Sequence, residues 1–167
     1  MNDAARTAAA ALLEFCRARK LMIATAESCT GGLVAACLTD IPGSSDVVDR
    51  GFVTYSNAAK QAMLGVPSAV LERHGAVSRE TAEAMAQGAI AHSLADIAVS
   101  VTGVAGPGGG SAEKPVGLVH FGAAARHGRL LHREERFGDI GRSEVRAKSV
   151  LIAFELFHAL AGDPTAA

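Results

Sequence analysis

The segment LMIATAESCTGGLVAACL, residues 21–38, decides the fold class. Its apolar start, Leu21–Thr25, has the length of a buried strand, whereas Leu33–Leu38 has a helical pattern. The turn between them contains Ser28 and the pair Gly31-Gly32. A strand, a tight turn and a helix in this order form the repeating unit of α/β domains.

The rest of the chain continues this alternation. Predicted helices cover residues 3–20, 57–64, 68–74 and 141–160, with another that begins at Ser78, and predicted strands cover 47–55, 96–101, 116–124 and 128–137. The last two strands indicate an antiparallel hairpin, so we expect a mixed, mostly parallel sheet with helices on both faces. We predict a single domain over residues 1–162 and a loose tail over 163–167.

Composition excludes several classes of protein. The chain has 167 residues, close to the ~150 typical of one domain. Its 16 basic and 17 acidic residues predict no nucleic-acid partner, because such proteins usually carry a strongly basic face. The three cysteines lack a C-x-x-C pair and the six histidines lack metal-ligand spacing, so we expect no disulfide framework and no metal.

Hydropathy predicts a cytoplasmic protein that does not cross a membrane. No run approaches the ~18 apolar residues that a membrane-spanning helix needs. The N-terminal segment carries Asp3 where a secretory signal has basic residues, and Glu14 interrupts its apolar run.

Ser28 is the first candidate for chemistry. It follows a predicted strand, and ligands of α/β sheets bind where such strands end. Ser28 could be a nucleophile, with an oxyanion or phosphate held by the amides of about Thr30 to Leu33 at the start of the next helix. Alternatively, Ser28 or Thr30 is an ordinary helix cap. Cys29 is a competing nucleophile, but we expect a buried, unreactive thiol.

Tyr55 and Lys60 form the second candidate, at the end of a strand and on the helix after it. Lysine is a useful base only when its pKa is lowered, so a Ser–Lys pair requires a partly buried site. The alternatives are a solvated Lys60 and a half-buried Tyr55 with its hydroxyl at the surface.

Two further features could bind an anion. The loop Thr102–Gly110 is dense in glycine, which suits either a cradle of backbone amides or a mobile lid. Arg142 opens the last predicted helix and could bind a carboxylate or phosphate, or could be an ordinary surface arginine.

Four blocks in order carry a family resemblance: TAESCTGG (25–32), GFVTYSNAAK (51–60), SVTGVAGPGG (100–109) and KPVG (114–117). Together they resemble the CinA C-terminal domain family over essentially the whole chain. The resemblance implies a three-layer α/β/α sandwich and hydrolysis of nicotinamide mononucleotide to nicotinic acid mononucleotide and ammonia, in pyridine nucleotide recycling. It also implies a homodimer or larger homo-oligomer, and no metal or organic cofactor.

The resemblance also implies site residues. The family's serine nucleophile falls on Ser28 and its lysine base on Lys60. Its tyrosine, threonine and arginine fall on Tyr55, Thr102 and Arg142. For such a reaction we expect the oxyanion at the backbone amides that start the predicted 30–38 helix, or at the Thr102-Gly103 turn. The further expected substrate-binding residues are Thr30, Gly31, Gly32, Asn57, Gly103 and Gly106.

Two other functions remain open from the sequence. One is a catalytically idle module that binds the mononucleotide without releasing ammonia. The other is an amidase for a different pyridine or ribosyl substrate.

Overall fold

The computed structural model describes residues 3–162, and the predicted tail at 163–167 lies outside these residues. The helices are α1 (Asp3–Ala18), α2 (Leu33–Thr39), α3 (Asn57–Leu64), α4 (Ser68–His74), α5 (Arg79–Ala91) and α6 (Arg142–Ala161), with a 3₁₀ turn at Ser44–Asp46. The strands are β1 (Ile23–Glu27), β2 (Val48–Val53), β3 (Ile97–Gly103), β4 (Leu118–Ala125) and β5 (Leu130–Arg136).

The strands form one mixed sheet in the order β2-β1-β3-β4-β5. β1 pairs in parallel with β2 and β3, whereas β4 is antiparallel to both β3 and β5. Four strands therefore point the same way and β4 opposes them. This confirms the predicted α/β class and the terminal hairpin.

Helices cover both faces of the sheet. α1, α2 and α6 pack on one face around a large apolar core that includes Leu12, Phe121 and Phe157. α3, α4 and α5 cover the other face around a smaller core that includes Leu64 and Met85. Because β1 lies between the two helical layers, all five of its residues are buried, including the polar Thr25 and Glu27.

Small residues let α5 lie close to its neighbours. The strand residues that face α5 include Ala98 and Gly122, and a Cβ on Gly122 would overlap the backbone of Ala82. Gly88 lies inside α5, and a Cβ there would overlap the carbonyl group of Leu64 at the end of α3. The absence of a side chain at Gly88 thus sets the distance between α5 and α3.

Gly88→Ala is expected to destabilise the protein by about 1–3 kcal/mol, the usual cost of overpacking. A loss of stability would point to the close approach of α5 and α3, because alanine in a helix interior is otherwise favoured over glycine by about 1 kcal/mol. Urea unfolding measures the effect, and Gln87→Ala, at the exposed neighbouring position, is the matched control with little change expected. A Gly88→Ala protein as stable as wild type would contradict the close approach of the two helices.

Candidate active site

The candidate site lies where β1, β2 and β3 end at the same edge of the sheet. Ser28 directly follows β1, Lys60 lies on α3 after β2, and Thr102 and Gly103 end β3. They meet at a cavity of about 270 Å³. The lining residues are Ser28, Cys29, Tyr55, Lys60, Ala76, Val77, Thr102, Gly103, Val104, Ala105, Gly106, Gly108, Gly109 and Arg142.

The side chains of Ser28 and Lys60 are in direct contact. Lys60 Nζ lies 2.9 Å from Ser28 Oγ and donates to the carbonyl oxygen of Thr54 at 2.8 Å. Lys60 is 1% exposed, and within residues 3–162 it forms no ion pair with a carboxylate. Lys60 is therefore a buried residue of the site and not the solvated lysine that the sequence left open.

Burial lowers the pKa of Lys60 below its ordinary value, because the charged ammonium loses its hydration and gains no anion in return. A lower pKa increases the fraction of neutral amine near neutral pH. Only the neutral amine can accept a proton from the serine hydroxyl. The pair thus has the geometry and electrostatics of a nucleophile and its base.

The turn after Ser28 is held by backbone and side-chain hydrogen bonds. The N–H of Ser28 donates to Val101 on β3 at 2.9 Å, and the N–H of Gly31 donates to the carbonyl of Ser28 at 3.0 Å. Gly31 and Gly32 have φ values of 58° and 95°, which other residues adopt only with strain. The two glycines therefore permit the sharp reversal from β1 into α2.

The N-terminus of α2 is capped by a residue that the sequence analysis did not assign. The carboxylate of Glu27 accepts the N–H groups of Gly32, Val34 and Ala35 at 2.8–3.0 Å. Gly32 is the N-cap residue, and no N-cap side chain bonds to the helix end. The interpretation of Ser28 or Thr30 as a helix cap is therefore wrong.

This capping also corrects the expected oxyanion donors. The amides of Gly32, Val34 and Ala35 bond to Glu27, and that of Leu33 bonds to the carbonyl of Thr30 at 3.1 Å. Within residues 3–162, the N–H groups of Cys29 and Thr30 donate to no other residue. Of these two residues, Cys29 lines the cavity and Thr30 does not, so the N–H of Cys29 is the amide of this turn that a ligand in the cavity can reach.

The thiol of Cys29 is not suited to be the nucleophile. Cys29 is buried, and its burial raises the pKa of the thiol to about 12. Because the thiolate is the reactive form, such a thiol is inert near neutral pH. This confirms the expectation of a buried, unreactive cysteine.

Arg142 and Tyr55 meet at the mouth of the cavity. Arg142 donates through Nη2 to the hydroxyl of Tyr55 at 2.8 Å and through Nη1 to the carbonyl of Gly106 at 3.0 Å. Tyr55 is 61% exposed. The arginine thus links the end of β2 to the glycine loop, and its position on the cavity wall favours the ligand-binding interpretation over an ordinary surface residue.

Thr102 is buried at the opposite wall, where its hydroxyl donates to the carbonyl of Ala76 at 2.7 Å. Because its one proton is used, the hydroxyl can contact a ligand only as an acceptor. Ala76 and Val77, which precede α5, complete this wall and were not expected from the sequence.

Four of the expected substrate-binding residues do not line the cavity: Thr30, Gly31, Gly32 and Asn57. Thr30 is buried, with its carbonyl bonded to Arg146 at 2.8 Å. Asn57 is the exposed first residue of α3, and this helix is capped by Ser56, whose hydroxyl accepts from the N–H of Ala59.

The histidines of the β4–β5 hairpin lie outside the set of residues that line the cavity. His120 and His132 bond to each other at 3.0 Å on β4 and β5. In the described part of the chain, no group of three or more His, Cys, Asp or Glu could hold a metal ion. Nor is any helix between residues 3 and 162 long and apolar enough to cross a bilayer.

A mixed sheet between two helical layers, with a serine and a buried lysine in contact at its carboxyl edge, defines the class: an α/β domain with a serine–lysine site. The model of the CinA C-terminal domain family matches residues 5–161. The chain belongs to this family.

Named relatives agree with that assignment. A protein from Enterobacter agglomerans, named nicotinamide-nucleotide amidohydrolase PncC, is 51% identical over 140 residues, which are 83% of this chain and 84% of that protein. A CinA-like protein from Synechococcus sp. (strain RCC307) is 52% identical over 149 residues, which are 89% of this chain and 36% of the relative. The chain spans about a quarter to a third of the length of several other curated relatives that it matches.

Solved structures share the fold. The competence/damage inducible protein CihA from Agrobacterium tumefaciens has a TM-score of 0.95 and 54% identity, and the match covers 98% of both chains. A CinA superfamily protein from Escherichia coli has a TM-score of 0.88 and 33% identity, with 96% of this chain and 93% of that chain covered.

Replacing Lys60 is expected to change how stability depends on pH. The pKa of Lys60 is lower in the folded protein than its ordinary value of 10.5, so the unfolded chain binds this proton more strongly. Wild-type stability therefore falls as pH is lowered from about 10.5 through the lowered pKa. As the pH is lowered across this window, the Tm of Lys60→Met should therefore increase relative to the Tm of wild type.

Thermal unfolding between pH 7 and 10.5 measures this difference. Ser28→Ala is the matched control, because it keeps the buried lysine and should follow the wild-type trend. A difference between Lys60→Met and wild type that stays constant with pH would show that Lys60 does not carry a lowered pKa.

Proposed function

We propose that the chain is an amidohydrolase that converts nicotinamide mononucleotide and water to nicotinic acid mononucleotide and ammonia. The observation that carries the proposal is the 2.9 Å contact between Ser28 Oγ and the buried Lys60 Nζ. The relative named nicotinamide-nucleotide amidohydrolase PncC supports the choice of substrate. The proposed role is pyridine nucleotide recycling in the cytoplasm, by a homodimer or larger homo-oligomer.

Acylation begins at the serine. Neutral Lys60 accepts the proton of Ser28 as Oγ attacks the carboxamide carbon. The carbonyl oxygen becomes an oxyanion, and the N–H of Cys29 is the donor that we assign to it. The backbone N–H groups at the end of β3, at Thr102 and Gly103, remain the second position for such donors.

Loss of ammonia follows. The C–N bond of the tetrahedral intermediate breaks as the departing nitrogen takes the proton of Lys60, directly or through the Tyr55 hydroxyl, which leaves Lys60 neutral again. Thr102 Oγ1 donates to Ala76 and can only accept, so it suits the N–H groups of a carboxamide. This preference distinguishes an amide, which donates there, from an ester, which does not.

Deacylation uses Ser28 and Lys60 again, with water as the attacking nucleophile and Ser28 as the leaving group. Water attacks the acyl carbon of the Ser28 ester while Lys60 accepts its proton. The ester bond then breaks, the proton returns to Ser28 Oγ, and the pyridine carboxylate leaves. The residues thus complete the reaction by nucleophilic and acid–base catalysis alone.

The charge of the cavity suits a phosphate. Its lining in the described chain contains Lys60 and Arg142 but no acidic side chain. With Lys60 engaged at the serine, Arg142 and the loop around Gly106 are assigned to the 5′-phosphate. Gly103 contacts the substrate as part of the wall, whereas Gly31 and Gly32 act through the shape of the turn.

Ser28→Ala is expected to reduce ammonia release from nicotinamide mononucleotide by at least about 10⁴-fold, as for other activated nucleophiles. Cys29→Ala is the matched control and should retain activity, because the thiol of Cys29 is buried and protonated. Unchanged turnover by Ser28→Ala would contradict the mechanism. Absence of ammonia release by folded wild type would instead favour a module that only binds the nucleotide.

Arg142→Gln is expected to raise KM for nicotinamide mononucleotide about 10- to 100-fold, because a hydrogen bond to a charged group contributes roughly 1.5–3 kcal/mol. Nicotinamide riboside, which lacks only the phosphate, should show little change in kcat/KM. Arg136→Gln, at an exposed arginine of β5 outside the cavity, is the control. Equal losses with both substrates would place the phosphate elsewhere.

A further inference from the structure

We propose that Glu27 is a positioning residue that orients the nucleophile and leaves the oxyanion amide of Cys29 free. This inference rests on the proposed role of Ser28 as the nucleophile. Glu27 precedes Ser28 in the chain but does not line the cavity. It therefore acts through the turn and not on the substrate.

The environment of Glu27 is unusual for a carboxylate. Glu27 is fully buried, and no ion pair within residues 3–162 involves it. Oε2 accepts from Gly32 and Val34, both at 3.0 Å, and Oε1 accepts from Ala35 at 2.8 Å. Burying a carboxylate is costly unless hydrogen bonds replace its hydration, and three backbone donors do so here.

These hydrogen bonds connect a strand to the helix that follows it. An ordinary N-cap side chain belongs to the residue next to the helix, whereas Glu27 ends β1 and reaches across the turn 28–31. The end of the strand and the start of the helix are thereby held at a fixed separation. The chain between them, which includes Ser28, Cys29 and Thr30, has little freedom to change shape.

The backbone of Glu27 also connects to the lysine. Its carbonyl oxygen accepts from the N–H of Thr54 at 2.8 Å, and the carbonyl oxygen of Thr54 accepts from Lys60 Nζ at 2.8 Å. On the other side, the N–H of Ser28 bonds to Val101. The hydrogen bond to the carbonyl of Glu27 therefore connects the segment that carries Ser28 to Thr54, the residue that holds the Lys60 amine.

Glu27 also determines which amides a ligand can use. It takes three of the first amides of α2, so the positive end of that helix already has an anion. The N–H of Cys29, a residue that lines the cavity, donates to no other residue in the described chain. A shift of the turn would move this donor together with Ser28 Oγ.

Glu27→Gln tests this role with minimal change in size. The carboxamide keeps one acceptor oxygen, but its NH₂ group must face at least one backbone N–H donor. A displacement of about 1 Å at a catalytic site can cost 100-fold in rate. We expect kcat for nicotinamide mononucleotide to fall about 10- to 100-fold while KM changes less than about 3-fold, because the phosphate contacts lie on α6 and the glycine loop.

Asp96→Asn is the matched control for loss of stability. Asp96 Oδ2 accepts the N–H of Met22 at 2.8 Å, beside the opposite end of β1. This variant also changes a carboxylate that bonds to backbone into an amide, but far from the cavity. It should lower Tm and leave kcat at the wild-type value, at a temperature where all variants are folded.

A fluorophosphonate reagent separates this inference from the choice of substrate. Ser28 Oγ forms a bond to phosphorus as the P–F bond breaks, fluoride leaves and Lys60 takes the serine proton. The rate of labelling at Ser28, followed by mass spectrometry, reports the orientation of the nucleophile without any amide substrate. We expect wild type and Asp96→Asn to react at equal rates and Glu27→Gln at least about 10-fold more slowly.

The outcomes distinguish the two proposals. Slow labelling of Glu27→Gln supports the positioning role even if wild type releases no ammonia, in which case only the proposed substrate fails. Equal labelling of Glu27→Gln and wild type overturns the positioning role even if the amidase is active. Wild-type Ser28 that does not react overturns its role as the nucleophile and the positioning role of Glu27 with it, whereas ammonia release still decides whether the chain is an amidase. If Glu27→Gln does not fold, Glu27→Asp, whose oxygens are withdrawn by one methylene, should show the same slow labelling.

Discussion

The contact between Ser28 and Lys60 is the interaction on which the site depends. An ammonium group that is buried without a carboxylate is unfavourable, so burial lowers the pKa of Lys60 and raises the fraction of neutral amine. The same burial that weakens the folded state therefore creates a base. The carbonyl of Thr54 holds the amine in place, and the serine hydroxyl is the group that it can deprotonate.

The fold supplies the conditions for this contact. Parallel pairing of β2, β1 and β3 brings three strand ends together, and the two helical layers exclude water from below the site. Gly88 allows α5 to approach the end of α3, the helix that carries Lys60. The capped turn from β1 into α2 then presents Ser28. Helix packing, the capped turn and burial therefore all contribute to placing Ser28 in contact with Lys60.

Local sequence patterns were sufficient to predict the α/β class, the terminal hairpin and the placement of Ser28 after a strand. The buried state of Lys60 could not be predicted from its own segment, because it depends on strands and helices distant in sequence. Glu27 was missed because its partners lie five to eight residues ahead, beyond the usual spacing of a helix cap. The family resemblance grouped the site residues, yet Thr30 and Asn57 lie outside the cavity that it implied.

Titration of the Lys60 amine by NMR tests the central claim most directly. The chain contains four lysines, so selective labelling gives few signals, and Lys60→Met identifies the one of interest. A pKa for that signal below the ordinary 10.5 is the result expected for a buried base in contact with Ser28. A pKa at or above 10.5 would show that the amine remains charged, and the serine would then have no base at this position.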